Sequence, residues 1–355
     1  MGATTSVGAP VTGRLLWVAW SARWGVRVGA LMMLMIGLGA DPALAQDHYT
    51  LLVTGASGGA TFKENHDRWR ATLIAALRNV PAFDDDHLIV LAETPGPGIG
   101  RASREGVRQA AEQLAGRMGE DAVLYVVLIG HGSFDGIDAK FNLVGPDLEA
   151  AEWDALLSQL PGRLVFVNTT SASFPFLERL AGPGRTIVTA TESAVQRYDT
   201  VFPQFFVEAF VDLAADRDKD GRVSILEAFE FASVGVRQWY QQRGQLATER
   251  ALLDDTGDGR GVEAGQSGPD GSIAARLYLG AGPEEAEVVS DPRLVPLVTR
   301  RQALRQAVDD LKAVKADMRP ELYLRDLERV LIELARVSRQ LRRASSSEQN
   351  PPVSS

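Results

Sequence analysis

Residues 122–129 (AVLYVVLI), followed by Gly130-His131-Gly132, are the stretch that decides the fold. Eight consecutive apolar residues, rich in β-branched and aromatic types and closed by glycine, read as a strand buried on both faces. Runs of the same kind lie on either side. Residues 49–53 (YTLLV) stop at Gly55-Ala56-Ser57-Gly58-Gly59, and residues 87–91 (HLIVL) follow. Downstream, residues 164–167 (LVFV) end at Asn168-Thr169-Thr170, and residues 186–190 (TIVTA) make a fifth run. Helical patterns separate them: Trp69, Leu73, Ala76 and Leu77; then Val107, Ala111, Leu114 and Met118 behind a capping Ser103; then an amphipathic stretch over 148–160. Continuous apolar strands alternating with helices define an α/β protein with a doubly wound, mostly parallel sheet flanked by helices. Such sheets bind ligands beyond the carboxyl ends of their strands. That rule singles out Ser57, His131, residues 168–173 and Glu192.

Composition narrows the chemistry. The chain has 355 residues, 45% hydrophobic and 23% charged, enough apolar material for a sizeable core. Its net charge of −9 makes it a poor nucleic-acid ligand, because phosphate binding needs a basic surface. It contains no cysteine, which excludes disulfides, thiolate metal sites and a cysteine nucleophile. Residues 1–45 have the layout of a secretory signal: Arg14, Arg23 and Arg27, an apolar block over 28–40, then small residues Ala43 and Ala45. Thirteen apolar residues are too few to span a bilayer as a helix, so the expectation is cleavage, no remaining membrane span, and a periplasmic or extracellular protein. Cleavage removes three arginines and one aspartate, so −9 becomes −11.

Beyond the strands the pattern changes. Residues 202–213 are aromatic-rich and read as helix, and residues 225–243 form another amphipathic helix. Between them, Asp216-Arg217-Asp218-Lys219-Asp220-Gly221-Arg222-Val223-Ser224-Ile225-Leu226-Glu227 fits the EF-hand loop. Asp216, Asp218 and Asp220 fall at positions 1, 3 and 5, and Gly221 makes the turn at 6. Arg222 offers a carbonyl at 7, Ser224 an oxygen at 9, and Glu227 a bidentate carboxylate at 12. Ca²⁺ is the expected ligand, since four carboxylates this close repel one another without a cation. Asp254-Asp255-Thr256-Gly257-Asp258-Gly259 resembles half of such a loop, but its twelfth position is Gly265, so it reads first as a Gly/Asp turn. The glycines after the first strand lack the lysine of a phosphate-binding loop, and Gly96-Pro97-Gly98-Ile99-Gly100 does not match a dinucleotide fingerprint, so 94–101 reads as loop. Domain organisation follows: an α/β domain over 46–290 that includes the acidic loop, a helical hairpin over 291–343, and a polar, disordered tail over 344–355. In the second hairpin helix Leu324, Leu327, Leu331 and Leu334 recur at three- and four-residue spacing, which suits internal packing or self-association through 297–343.

The order strand, His-Gly, helix, strand, hydroxyl-rich turn resembles the caspase/legumain-like cysteine peptidases over roughly residues 47–245. The resemblance rests on residues 124–129 leading into Gly130-His131-Gly132 and residues 164–167 leading into Asn168-Thr169-Thr170. It implies that His131 matches the general base and Gly132 its neighbour, and that the cysteine position falls on Thr170 or Ser171. Asn168 then stands where the family carries an acid. Spacing alone puts no acidic residue beside His131; Asp135 and Asp138 are near only in number. A hydroxyl is far less acidic than a thiol and needs a base held by a third group. Two readings follow. One is a calcium-binding pseudopeptidase that engages a protein or peptide in a cleft lined by Ser57, His131, Gly132, Asn168, Thr170, Ser171 and the 191–199 loop with Glu192. The other is a hydrolase with Thr170 or Ser171 as nucleophile and His131 as base.

Overall fold

The computed structural model describes residues 47–80, 83–196, 198–280, 292–313 and 318–348. The signal segment over 1–45 and residues 349–355 of the tail lie outside them. A seven-stranded sheet is built from β1 (His48–Thr54), β2 (Leu88–Ala92), β3 (Ile99–Arg101), β4 (Val123–Ile129), β8 (Arg163–Asn168), β9 (Arg185–Thr189) and β10 (Leu252–Asp254). Its order is β10-β9-β8-β4-β1-β2-β3, all parallel except the β9–β10 pair. The chain winds one way from β1 through β2 to β3 and the other way from β4 onward. The switch point therefore falls between β1 and β4, which pair from His48↔Val123 to Thr54↔Ile129. All seven residues of β4 are buried, as a continuous apolar run in a sheet covered on both faces requires.

Helices cover the two faces: α1 (Ala60–Arg78), α2 (Arg104–Ala115), α3 (Ala150–Leu157), α4 (Phe174–Leu180), α5 (Phe202–Glu208) and α6 (Ile225–Gln242). Alternate β4 residues feed two cores. Tyr125, Val127 and Ile129 pack with Leu73, Phe202, Phe206 and Phe229 on one side. Leu124, Val126 and Leu128 pack with Leu114, Trp153 and Phe176 on the other. Fully burying each such side chain contributes about 1.5–3 kcal/mol. Ser103 caps α2 as expected, its hydroxyl accepting from the Gly106 amide at 3.2 Å.

Several expectations change. The 94–101 stretch contains β3, and β10 adds an antiparallel edge. A second sheet, β5 (Gly132–Phe134), β6 (Ala139–Phe141) and β7 (Leu148–Glu149), grows directly from the His131 segment. Strands of two or three residues leave no periodicity to read. The helix expected over 202–213 stops at Glu208; a 3-10 turn over Val211–Leu213 follows, with Asp212 and Leu213 in the left-handed region (φ 50° and 54°). The C-terminal hairpin consists of α7 (Val295–Ala313) and α8 (Pro320–Glu348), and the helix continues through 344–348, where a disordered tail is expected. Leu304, Val308 and Val330 form its buried seam, while Leu324, Leu331 and Ile332 stay exposed. Among the described residues, no helix is long and apolar enough to cross a membrane.

Candidate functional site

Parallel pairing of β1, β4 and β8 brings the segments after these strands to one ledge at the switch point. Glycine makes the close approach possible. A Cβ on Gly55 would meet the Asn142 carbonyl at 2.3 Å, and one on Gly132 would meet the Ser171 carbonyl at 2.0 Å and Thr170 Oγ1 at 2.6 Å. His131 and the 168–173 turn therefore share one rim, as the sequence predicts.

His131 is held through both ring nitrogens. Nε2 donates to the Ser57 carbonyl at 2.8 Å, and Nδ1 lies 2.7 Å from Asp199 Oδ1. Both partners are acceptors, so the two bonds form together only with a proton on each nitrogen. Asp199 is the acidic partner that sequence spacing did not supply; neither Asp135 nor Asp138 takes that place. Asp135 instead accepts from the Asp138 and Ile137 amides and pairs with Lys140; the two amides first, and then the ammonium, hold its carboxyl down at about 2. Ser57 is buried, and its hydroxyl donates to Glu93 Oε2 at 2.7 Å. The Phe62 ring meets the imidazole edge-on, with centroids 4.9 Å apart, and the His66 ring lies 5.2 Å away. His66 is buried with Nδ1 unpartnered; burial, then repulsion from His131, lowers its pKa to about 4.

The hydroxyl side of the ledge is bonded elsewhere. Thr170 is fully buried, and its Oγ1 donates to Asn168 Oδ1 at 2.7 Å, with the Ser171 carbonyl at 3.1 Å. Ser171 Oγ donates to the Gly132 carbonyl at 3.0 Å. Asn168 Oδ1 also accepts from the Thr170 amide, while its Nδ2 is buried without a partner. Ala172, also buried, sits in the left-handed region at φ 52°, a conformation that costs energy and persists only where the surroundings impose it. The 191–200 loop is laced to this turn: Thr200 Oγ1 donates to the Thr169 carbonyl at 2.6 Å, and Ser173 and Thr191 share a hydroxyl bond at 3.0 Å. Glu249, buried against the start of α5, accepts from the Val201 and Phe202 amides; burial raises its pKa to about 7. Glu192 faces Arg250 at 3.6 Å.

The acidic loop is a second candidate centre. One ligand oxygen each from Asp216, Asp218 and Glu227 lie within 4.8 Å of one another. Asp216 Oδ2 accepts from the Gly221 amide at 3.0 Å, closing the turn, while Asp216 Oδ1 is buried without a partner. Gly221 has φ +85°, a backbone that favours glycine. Ser224 and Glu227 form a capping box on α6, and Glu227 Oε1 accepts from the Arg217 amide at 2.9 Å. Asp220 turns to Tyr278, whose hydroxyl donates to Oδ2 at 3.1 Å, and the Arg222 guanidinium lies over the same ring. Burial, then repulsion from Asp220, Glu227 and Asp216, raises the Asp218 carboxyl above its usual range. An orphaned buried oxygen and mutually repelling carboxylates fit a hard, oxygen-seeking cation.

No protein-family model matches the chain, and no curated protein matches it in sequence. Among solved structures, the Geobacter sulfurreducens protein GSU0716 is 14% identical, with a TM-score of 0.39, over 65% of this chain and 97% of that one. The structure of drICE is 14% identical, with a TM-score of 0.31, over 57% of this chain and 87% of that one.

Sequence reasoning missed three ledge residues, Phe62, His66 and Glu93; it placed the 191–199 loop at the cleft but did not single out Asp199 as the partner of His131. Glu93 was within reach, since it follows β2 directly and strand-end residues were already singled out. Asp199 and His66 carry no local signal. They arrive on a loop and a helix whose distance from His131 is set by the packing of the whole sheet.

Proposed function

We propose that the protein is an exported, calcium-binding, caspase/legumain-like pseudopeptidase that engages a protein or peptide at the His131 ledge. The observation that carries this reading is the hydrogen bonding of the ledge. His131 is clamped between Ser57 and Asp199, while the Thr170 and Ser171 hydroxyls donate to other oxygens. A general base needs a free ring nitrogen facing its nucleophile, whereas an imidazole clamped between Asp199 and the Ser57 carbonyl offers a fixed polar surface with an acidic neighbour. The scaffold's resemblance to a cysteine peptidase without cysteine supports the same view. The loop over 216–227 would take Ca²⁺ through Asp216, Asp218, Asp220, the Arg222 carbonyl, Ser224 and Glu227. The exposed Leu324, Leu331 and Ile332 would serve self-association through the hairpin.

One observation favours a second reading. An Asp-His pair is the arrangement that orients a base for a hydroxyl nucleophile, so Asp199, His131 and Thr170 or Ser171 could serve a hydrolase. A display selection of random peptides on the mature chain, followed by a turnover assay, separates the two. Enriched peptides that bind without being cleaved, and lose binding in His131→Ala and Asp199→Asn, support the binding module. Cleavage that vanishes in Thr170→Ala or Ser171→Ala replaces it with the hydrolase. No enrichment at all removes the ledge as a binding site.

A further inference from the structure

Glu249 lies between α6 and β10 and is 2% exposed, yet among the described residues no ion pair reaches it. Arg250 beside it turns away, to Glu192 at 3.6 Å and Glu263 at 3.8 Å. The Glu249 carboxylate is aimed at backbone instead. The Val201 amide donates to Oε1 at 2.9 Å and to Oε2 at 3.0 Å, and the Phe202 amide donates to Oε2 at 3.2 Å. Tyr240 faces it from α6, and its hydroxyl shares a bond with Thr248 Oγ1 at 2.9 Å. Ser233, Arg237, Arg250 and Glu263 line, together with Glu249, a cavity of about 460 Å³, through which a proton can reach the carboxylate.

These bonds fall two residues past Asp199. Among the described residues His131 is the one polar partner of the Asp199 carboxylate, which is half exposed. Val195 and Tyr198, on the same loop, are largely exposed and add little packing. The position of Asp199 therefore stands on a few backbone anchors. Before it, the Gln196 carbonyl accepts from the Ala172 amide at 3.0 Å. After it come the Thr200 hydroxyl on the Thr169 carbonyl and then the Glu249 staple on Val201 and Phe202. Glu249 thus touches neither His131 nor the 168–173 turn, but it holds the segment that brings Asp199 to them.

A serine or asparagine could accept from the same amides without the cost of burying a charge. Burial pushes the Glu249 carboxyl up to about 7, against the pull of the two amides and of Tyr240. While it is ionised, both oxygens accept. Once it is protonated, one oxygen becomes a donor facing N–H donors, and the bonds to Val201 and Phe202 do not all persist. We propose that Glu249 is a positioning residue of the His131 ledge: its carboxylate holds residues 199–202 so that Asp199 meets His131, and a proton on it releases them. The consequence for ligands rests on the reading of the ledge as a binding site. Capture there is strong above neutral pH and weak in mild acid, the reverse of the contribution that the same group makes to the stability of the whole fold.

Hydrogen exchange of the full mature chain at pH 8 and pH 5.5, corrected for the intrinsic pH dependence of exchange, tests the proposal. In the wild type, protection over 198–202 falls roughly tenfold in acid, while protection over 252–254 does not change. Glu249→Gln keeps the shape but cannot ionise, so its protection over 198–202 is low at both pH values. In ¹⁵N NMR at pH 8 the His131 Nδ1 signal moves alike in Glu249→Gln and Asp199→Asn, which a residue supporting only the fold would not produce. A peptide enriched on the ledge by display binds the wild type about tenfold more weakly at pH 6 than at pH 8, and Glu249→Gln equally weakly at both. Equal wild-type protection at the two pH values, or a His131 signal unmoved by Glu249→Gln, overturns the proposal. If no peptide enriches, the ledge loses its reading as a binding site, and exchange and NMR still decide what Glu249 does. If Glu249→Gln fails to fold, the wild-type exchange profile decides.

Discussion

The His131 ledge and the 216–227 loop hold their polar groups in opposite ways. The loop draws nearly all its oxygens from twelve consecutive residues and closes on itself through Asp216 and Gly221. The ledge gathers Ser57, His66, Glu93, His131, Thr170 and Asp199 from six separate segments, pressed together by strand pairing. A contiguous site stands on local backbone geometry, whereas an assembled site depends on packing across the sheet. The two should therefore fail under different insults.

Substituting the turn glycines gives the largest contrast. Gly132→Ala drives a Cβ into the Ser171 carbonyl, so the cost should exceed about 3 kcal/mol and lower the melting temperature of the whole domain. Gly221→Ala meets no atom within 4 Å and should cost only the left-handed backbone, about 1–2 kcal/mol, leaving the sheet intact. Equal thermal shifts in the two variants would erase the distinction.

Acidity should act on the ledge. His66 is held near 4, below its ordinary 6.5, so the unfolded chain takes up a proton first and stability falls as pH drops through that window. Glu249 is raised from 4.5 to about 7, so the unfolded chain loses its proton first and stability falls as pH rises through that window. Each is worth about 3 kcal/mol at its limit, with opposite sign, so the two slopes offset each other between pH 4.5 and 6.5. Denaturant melts of His66→Phe should show stability falling as pH rises across that range, and Glu249→Gln stability rising. Parallel pH profiles in both variants would contradict the assignment.

Cation removal should act on the loop. Chelation should lower the melting temperature by roughly 5 °C, from about 2–3 kcal/mol of ligand linkage, and Asp216→Asn should remove most of the response. Protease sensitivity over 191–230 should rise with it if the loop also steadies the segment that carries Asp199. The smallest effect belongs to Tyr278→Phe. It removes one hydrogen bond to Asp220, about 1 kcal/mol, and frees Oδ2, so calcium should bind a few-fold more tightly.

The same contrast governs what the sequence made legible. All five long strands were readable because a buried parallel strand is a continuous apolar run, and residues 122–129 announce β4 almost to the residue. The turn of the acidic loop was readable because the residues that close it are neighbours in sequence. β3, β10 and the small sheet were not, since three residues carry no period. Asp199 and His66 were not, because each reaches His131 only through tertiary packing. The kink at Asp212 and Leu213 also escaped, since an aromatic-rich run gives no sign of where its helix breaks.

Both outer strands of the large sheet are closed by the chain's own backbone. At one border Leu253 exchanges amide and carbonyl with Val262; at the other Gly96 does so with Ile99. Each border is thus spent on a neighbour a few residues away, which denies passing extended chains a template to extend. A peptide recruited by this protein would be read through its side chains at the strand tips rather than enrolled as an additional strand, and the folded protein can stay crowded without polymerising edge to edge.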